Sequence, residues 1–242
     1  MTSVLRRNLW SVYRVLFLIA VLPVLLGFAG FAGAVSEKQP NLTPFPAKDV
    51  RIQVGSDGSR ELRFSTVSWN RGAGTLELVA GAVDRLNGRQ EVYQRIYSDG
   101  GSYRDVLAGS FIWHEGHSHF HFEDYALYTL QPVNAPGASE RIGTKTTFCV
   151  MDTTRVNTKL PGAPKRAFYK TCGASIQGMS VGWGDRYGYS LAGQSIDITG
   201  LPNGDYNLKI EVDPKHRLVE SDTTDNTSNV LLRIANGTVV VL

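Results

Sequence analysis

Four of the chain's five histidines fall within eight residues, in Trp113-His114-Glu115-Gly116-His117-Ser118-His119-Phe120-His121. His117, His119 and His121 stand at i, i+2 and i+4. On a helix that spacing sends successive members to nearly opposite sides. On a strand it puts three imidazoles on one face, with Ser118, Phe120 and Phe122 on the other. Three imidazoles on one face make a metal site suited to Cu, Zn, Fe or Ni. The outer two Cα atoms of a straight strand lie about 13 Å apart, so the strand must bend or bulge before all three rings meet one ion. The alternative is a solvent-facing histidine ladder. His114 lies off the alternation, beyond Gly116, as a supporting partner or a packing residue. His216 stands alone and reads as a surface residue. The chain offers no HExxH helix and Glu115 is out of that frame, which weighs against a zinc hydrolase.

A second group of ligand-type residues is the acidic run Glu220-Ser221-Asp222-Thr223-Thr224-Asp225-Asn226. Oxygen ligands clustered in a loop suit Ca²⁺; the alternative is a solvated acidic turn. The cysteines are two, Cys149 and Cys172, too far apart for a zinc knuckle. Their meaning depends on compartment. Arg6, Arg7 and Arg14 precede the apolar run Val15–Val35, which ends in the small-residue pattern Ala32-Gly33-Ala34. This predicts an export signal cleaved after Ala34, or an uncleaved anchor, and hence a secreted or extracytoplasmic protein. In an oxidising compartment an even pair of cysteines predicts one disulfide rather than two buried thiols.

The elements that must position these groups read as strands. Tyr206, Leu208, Ile210 and Val212 alternate with Asn207, Lys209, Glu211 and Asp213 after a Pro202-Asn203-Gly204-Asp205 turn signal. Similar period-two stretches cover Leu62–Phe64, Leu76–Leu78, Val92–Tyr97, Val230–Ile234 and Thr238–Leu242. No long stretch carries 3.6-residue periodicity with caps. The fold expected is mainly β, an antiparallel sandwich-like domain with long irregular loops, among them Asn157–Lys170 and the Gly-rich Ser175–Leu191. The domain plan expected is a leader or anchor over 1–34, a polar proline-bearing linker over 35–48, and a catalytic domain over 49–242. Net charge is +3 from 25 basic and 22 acidic residues. The three leader arginines account for all of the excess, so no nucleic-acid surface is implied. Any membrane association would run through the N-terminal segment alone.

An ordered set of motifs then resembles the lysyl oxidase family. Leu62-Arg63-Phe64 with Asn70-Arg71-Gly72 is similar to its opening strand and turn. Trp113-His114-x-x-His117-x-His119-x-His121 resembles its copper signature. Lys145-Thr146-Thr147-Phe148-Cys149 and Asp185-Arg186-Tyr187-Gly188 resemble the stretches carrying its cofactor lysine and tyrosine. Ile196-Asp197-Ile198-Thr199, Pro202, Gly204, Tyr206 and Glu220-Ser221-Asp222 complete the match.

The resemblance implies a copper amine oxidase. His117, His119 and His121 would ligate Cu(II), and Lys145 and Tyr187 would form a lysine tyrosylquinone. A primary amine, small or a protein lysine, would be oxidised with O2 to aldehyde, ammonia and peroxide. Lys170 and Tyr189 are the runner-up lysine and phenol. Asp185, two residues from Tyr187, is the candidate base for the amine's α-proton. The resemblance also supports pairing of Cys149 with Cys172, and places calcium ligands at Asp49, Glu220, Asp222, Asp225 and Asn226. The chain departs from animal members in having only two cysteines, with Gly116 and Trp183 where those members carry further ones. The competing reading is a non-catalytic metal-binding or adhesion β-sandwich that keeps the histidines.

Overall fold

A computed structural model describes residues 36–242. The apolar leader expected over 1–34 lies outside the described residues. Among those described, no helix is long and apolar enough to cross a membrane.

Among the described residues every strand pairing is antiparallel, in three sheets around one core. In the first sheet the order is Ile176–Met179, Leu76–Asp84, Arg89–Ser98, Tyr103–His114, His119–Phe122. In the second, Arg60–Asn70 is central. One of its edges takes Leu42–Pro44 and Lys48–Val54, the other Trp183–Tyr187 and Ser195–Asp197. The third runs Arg141–Ile142, Ala126–Asn134, Gly204–Val212, Thr227–Ala235, Thr238–Val241.

The alternation read in the sequence is the packing. Along Gly204–Val212 the residues Tyr206, Leu208, Ile210 and Val212 are at most 2% exposed, and the intervening side chains are only partly buried. The sheets meet through Phe64 against Tyr128, edge to face with ring centroids 5.1 Å apart. Hydrogen bonds add Thr66 to Tyr128 at 3.1 Å and Ser68 to Tyr125 at 2.7 Å.

The stretch expected as a linker, 35–48, is held by pairing rather than slack. Glu37–Lys38 pairs with Arg89–Ser98, Leu42–Pro44 pairs with Arg60–Asn70, and Leu42 is fully buried. Its prolines and polar residues hid a single core leucine.

The histidine segment also differs from a plain strand. Tyr103–His114 ends at His114, a 3₁₀ turn covers Glu115–His117, and a short strand begins only at His119. Ser118 between them sits in the left-handed region at φ 54°. The i, i+2, i+4 face is therefore broken: His119 and His121 share a strand, and His117 belongs to the turn.

Candidate active site

The site is assembled at the edge of the first sheet. His119–Phe122 pairs with the end of Tyr103–His114, placing His119 opposite His114 and His121 opposite Ile112. The His119 and His121 Nε2 atoms are 2.8 Å apart, and the His114 and His121 ring centroids 4.7 Å apart. Phe120, expected on an aromatic core face with Phe122, is half-buried against the exposed Trp113; Phe122 is buried.

A loop from the third sheet is bolted to this strand. Phe122 N–H donates to the Phe148 carbonyl at 2.7 Å and Phe148 N–H to the Phe122 carbonyl at 3.0 Å. That double bond fixes the register of 145–148 against the histidines. Thr147 Oγ1 thereby meets His121 Nδ1 at 3.1 Å. Lys145, 9% exposed, turns inward, with Nζ 5.0 Å from the Phe148 ring centroid and 5.3 Å from that of Tyr187. Gly193, at φ 71°, lets the chain pass close by: a Cβ there would stand 3.3 Å from Lys145 Cβ.

The third contribution is the strand Trp183–Tyr187. Asp185 and Tyr187 are two apart and share its inner face. Asp185 is 2% exposed. It accepts hydrogen bonds from the Thr153 hydroxyl at 3.1 Å and the Met151 N–H at 3.4 Å. The Tyr187 phenol donates to the Cys149 carbonyl at 2.8 Å and accepts from the Cys149 N–H at 2.9 Å. Cys149 and Cys172 form a disulfide with Cα atoms 5.3 Å apart, so the expected pairing is present.

One cavity of about 230 Å³ is lined by His119, His121, Lys145, Asp185, Tyr187 and the disulfide, with Met151, Leu191 and Ala192 among its apolar walls. Burial of the side chains that line it moves the ionisable groups. Burial lowers the Lys145 ammonium, against the pull of the Asp185 carboxylate. Burial pushes the Asp185 carboxyl up to about 8, opposed by its hydrogen bonds from Thr153 and Met151. Burial, with the nearby Asp185 charge, pushes the Tyr187 phenol well above its ordinary value.

The runner-up residues lie elsewhere. Tyr189 carries the Arg51 guanidinium 3.6 Å above its ring, and Lys170 is exposed. His216 occupies a turn at φ 50°. Thr147 and Thr153 belong to the stretch that resembles the cofactor-lysine segment, but the sequence assigns no role to them or to Met151. Their signal was only their nearness to Lys145 and Cys149, since a threonine's contact is invisible before the loop is docked.

Two imidazole nitrogens bound at right angles, each about 2.0 Å from one ion, stand about 2.8 Å apart. The His119–His121 spacing fits that geometry, and Thr147 on the far nitrogen of His121 is the outer partner a metal-bound imidazole uses. Among the described residues no three His, Cys, Asp or Glu side chains are gathered to hold an ion. The side chain of His117 is not among those described.

At the acidic run, Glu220 accepts from Leu42 N–H at 2.6 Å and Asn226 Nδ2 at 2.8 Å. Burial raises its carboxyl to about 7. Asp225 meets Thr43 and Arg71. Asp222 turns to its own Thr224, and Asp49 to Ser65 and Arg186. The N-terminal residues that reach this run are thus Pro40, whose carbonyl accepts from the Ser221 N–H at 2.9 Å, with Leu42 and Thr43.

An antiparallel β protein that brings an imidazole pair, a buried lysine, a half-buried phenol and a buried carboxyl to one cavity has the makings of an oxidative site. The lysyl oxidase family profile matches residues 102–242, more than half of the chain, and the chain belongs to the lysyl oxidase family. Lysyl oxidase homolog 3B of Danio rerio is 36% identical over 118 residues, 48% of this chain and 14% of that protein. Lysyl oxidase homolog 2 of Bos taurus is 32% identical over 118 residues, with the same coverage. Lysyl oxidase homolog 4 of Bos taurus is 34% identical over 116 residues. The match spans about 14% of the length of these curated relatives.

Proposed function

We propose that the chain is an exported, copper-dependent amine oxidase whose cofactor is a lysine tyrosylquinone made from Lys145 and Tyr187. The observation that carries this reading is the 5.3 Å separation of Lys145 Nζ from the Tyr187 ring, inside the cavity that His119 and His121 also line. Family membership supports it. His119 and His121, with His117 as third ligand, would hold the copper. Bound copper and quinone would supply an electrophilic carbonyl and electron transfer to O2, converting a primary amine to aldehyde with release of ammonia and peroxide.

The chain's own residues supply the rest. Lys145, its charge disfavoured by burial, would offer a nucleophilic amine to the Tyr187 ring once O2 has oxidised that ring to a quinone. Asp185 faces the same cavity and takes the proton from the carbon next to the substrate nitrogen. Met151, Leu191, Ala192 and the disulfide give that cavity an apolar lining.

The test is peptide mass spectrometry after aerobic copper loading. A fragment joining the Lys145 and Tyr187 peptides is expected, and it should be absent from Y187F and K145A, both without amine oxidation. Unmodified peptides in a protein that binds copper and oxidises amines would sink the quinone assignment.

A calcium ion at the acidic run belongs to the same proposal. The supporting observation is that buried side-chain oxygens of Asn41, Asp225 and Asn226 make no hydrogen bond. Glu220, Asp225 and Asn226 would bind through oxygen, with Asn41 in place of Asp49; Asp222 would join by turning away from Thr224. Millimolar Ca²⁺ should raise the thermal midpoint of the wild type and not that of E220Q; equal shifts would remove the site.

A further inference from the structure

Away from this site, the strand Leu76–Asp84 carries a carboxylate in an unexpected place. Leu76 and Leu78 are fully buried on its core face. Glu77 projects from the opposite face, where a charged residue ordinarily meets water, yet it is only 8% exposed. The loop ending at Tyr169 folds over it. Tyr169 donates its phenol to Glu77 Oε2 at 2.8 Å, and Tyr97 donates to Oε1 at 2.8 Å. Gly178 admits the Tyr169 ring: a Cβ there would come within 2.8 Å of it. Two phenols satisfy part of a carboxylate that can accept about four hydrogen bonds.

What Glu77 lacks is a direct ion pair, although Arg95 stands opposite it on the paired strand. No ion pair among the described residues involves it. The Arg95 guanidinium is turned to the far side, where it grips Asp105 through two bonds of 2.9 and 2.8 Å, while Arg89 pairs with Glu123 and Lys38 with Asp99. Beside Glu77 opens a cavity of about 300 Å³ lined by Tyr97, Tyr169, Phe168, Pro164 and Thr75. Phe168 is 67% exposed, a large aromatic ring left in solvent at the cavity's edge, standing edge-on to Tyr169 at 4.8 Å. Lys165 and Arg166 on the same loop are exposed and do not line it.

A buried carboxylate walled by aromatic rings is the chemistry that takes an organic cation. The carboxylate supplies the charge, and the ring faces supply cation–π attraction and apolar contact for the carbon substituents. We propose that this cavity is a second binding site, for an organic ammonium group, with Glu77 as the anion and Tyr97, Tyr169 and Phe168 as its walls.

The probe is tetramethylammonium, with 3,3-dimethyl-1-butanol as a neutral control carrying a similar apolar group. A quaternary ammonium has no N–H and cannot condense with a carbonyl, so the result is independent of whether the oxidase reading holds. Aromatic resonances of the full chain would be followed by NMR at constant ionic strength. Saturable shifts are expected at Tyr97, Phe168 and Tyr169, with the alcohol at least tenfold weaker. E77Q should weaken binding tenfold or more, and F168A at least threefold. Phe168 is exposed, so F168A keeps the test intact should E77Q fail to fold. Linear, unsaturated shifts, equal binding of the alcohol, shifts confined to Tyr187, or an F168A variant that binds as the wild type would each overturn the proposal.

Discussion

Tyr187 and Cys149 are joined twice, the phenol giving a hydrogen bond to the Cys149 carbonyl and receiving one from its N–H. The orientation of a side chain on one strand is therefore set by the backbone of a residue that is itself cross-linked to Cys172. The disulfide anchors the loop to which the phenol is pinned.

Replacing both cysteines with serine removes a link across 23 positions. A loss of about 3 kcal/mol in unfolding free energy is expected from chain entropy. Urea denaturation measures it. An unchanged midpoint would mean that the loop is held by its other bonds alone.

Asp185 sets a pH dependence whose sign follows from its raised carboxyl, at about 8 in the fold against an unperturbed value near 3.9. The folded chain holds this proton longer than the unfolded one. The stabilisation is full below about pH 4 and is lost as pH rises through about 8, by up to about 1.4 kcal/mol per pH unit. D185N should flatten that slope in denaturation curves at pH 5, 7 and 9. Under the proposed role of Asp185 as base, amine oxidation is expected to climb as pH approaches about 8.

Thr147 fixes the far nitrogen of His121. T147V should lower copper affinity by tenfold or more while leaving the fold in place. Competition with a copper chelator reads the affinity and circular dichroism the fold. Undiminished binding would show that the Phe122–Phe148 clamp orients His121 without help.

G193A puts a methyl group against Lys145 at a left-handed φ. A destabilisation of about 1–2 kcal/mol is expected. Alkylation of Lys145 should quicken as its packing loosens, followed by peptide mass spectrometry.

Much of this architecture could be read from residue pattern. The alternating apolar positions of 206–212 became a central strand because a half-buried sheet needs that period. The strand placement of His119 and His121 was legible for the same local reason, and the cysteine pair from its even count and the expected export signal. The core role of Leu42 was not, because a lone leucine among polar residues and prolines shows its burial only when Arg60–Asn70 lies beside it. Asp185 was legible as a residue near the phenol but not as a buried one; its neighbours Thr153 and Met151 come from a loop 30 or so residues away.

The turn at Ser118 has a bearing on how the histidine motif is written. As a pattern it is His-x-His-x-His, and both intervening letters look like wildcards. The first is a serine at φ 54°, where a branched side chain is strained; the second is a phenylalanine in ordinary strand geometry, edge-to-face with Trp113. A search that admits valine or isoleucine at the first position will collect sequences whose histidines cannot take this path. One that weights glycine, asparagine, aspartate and serine there will discriminate better.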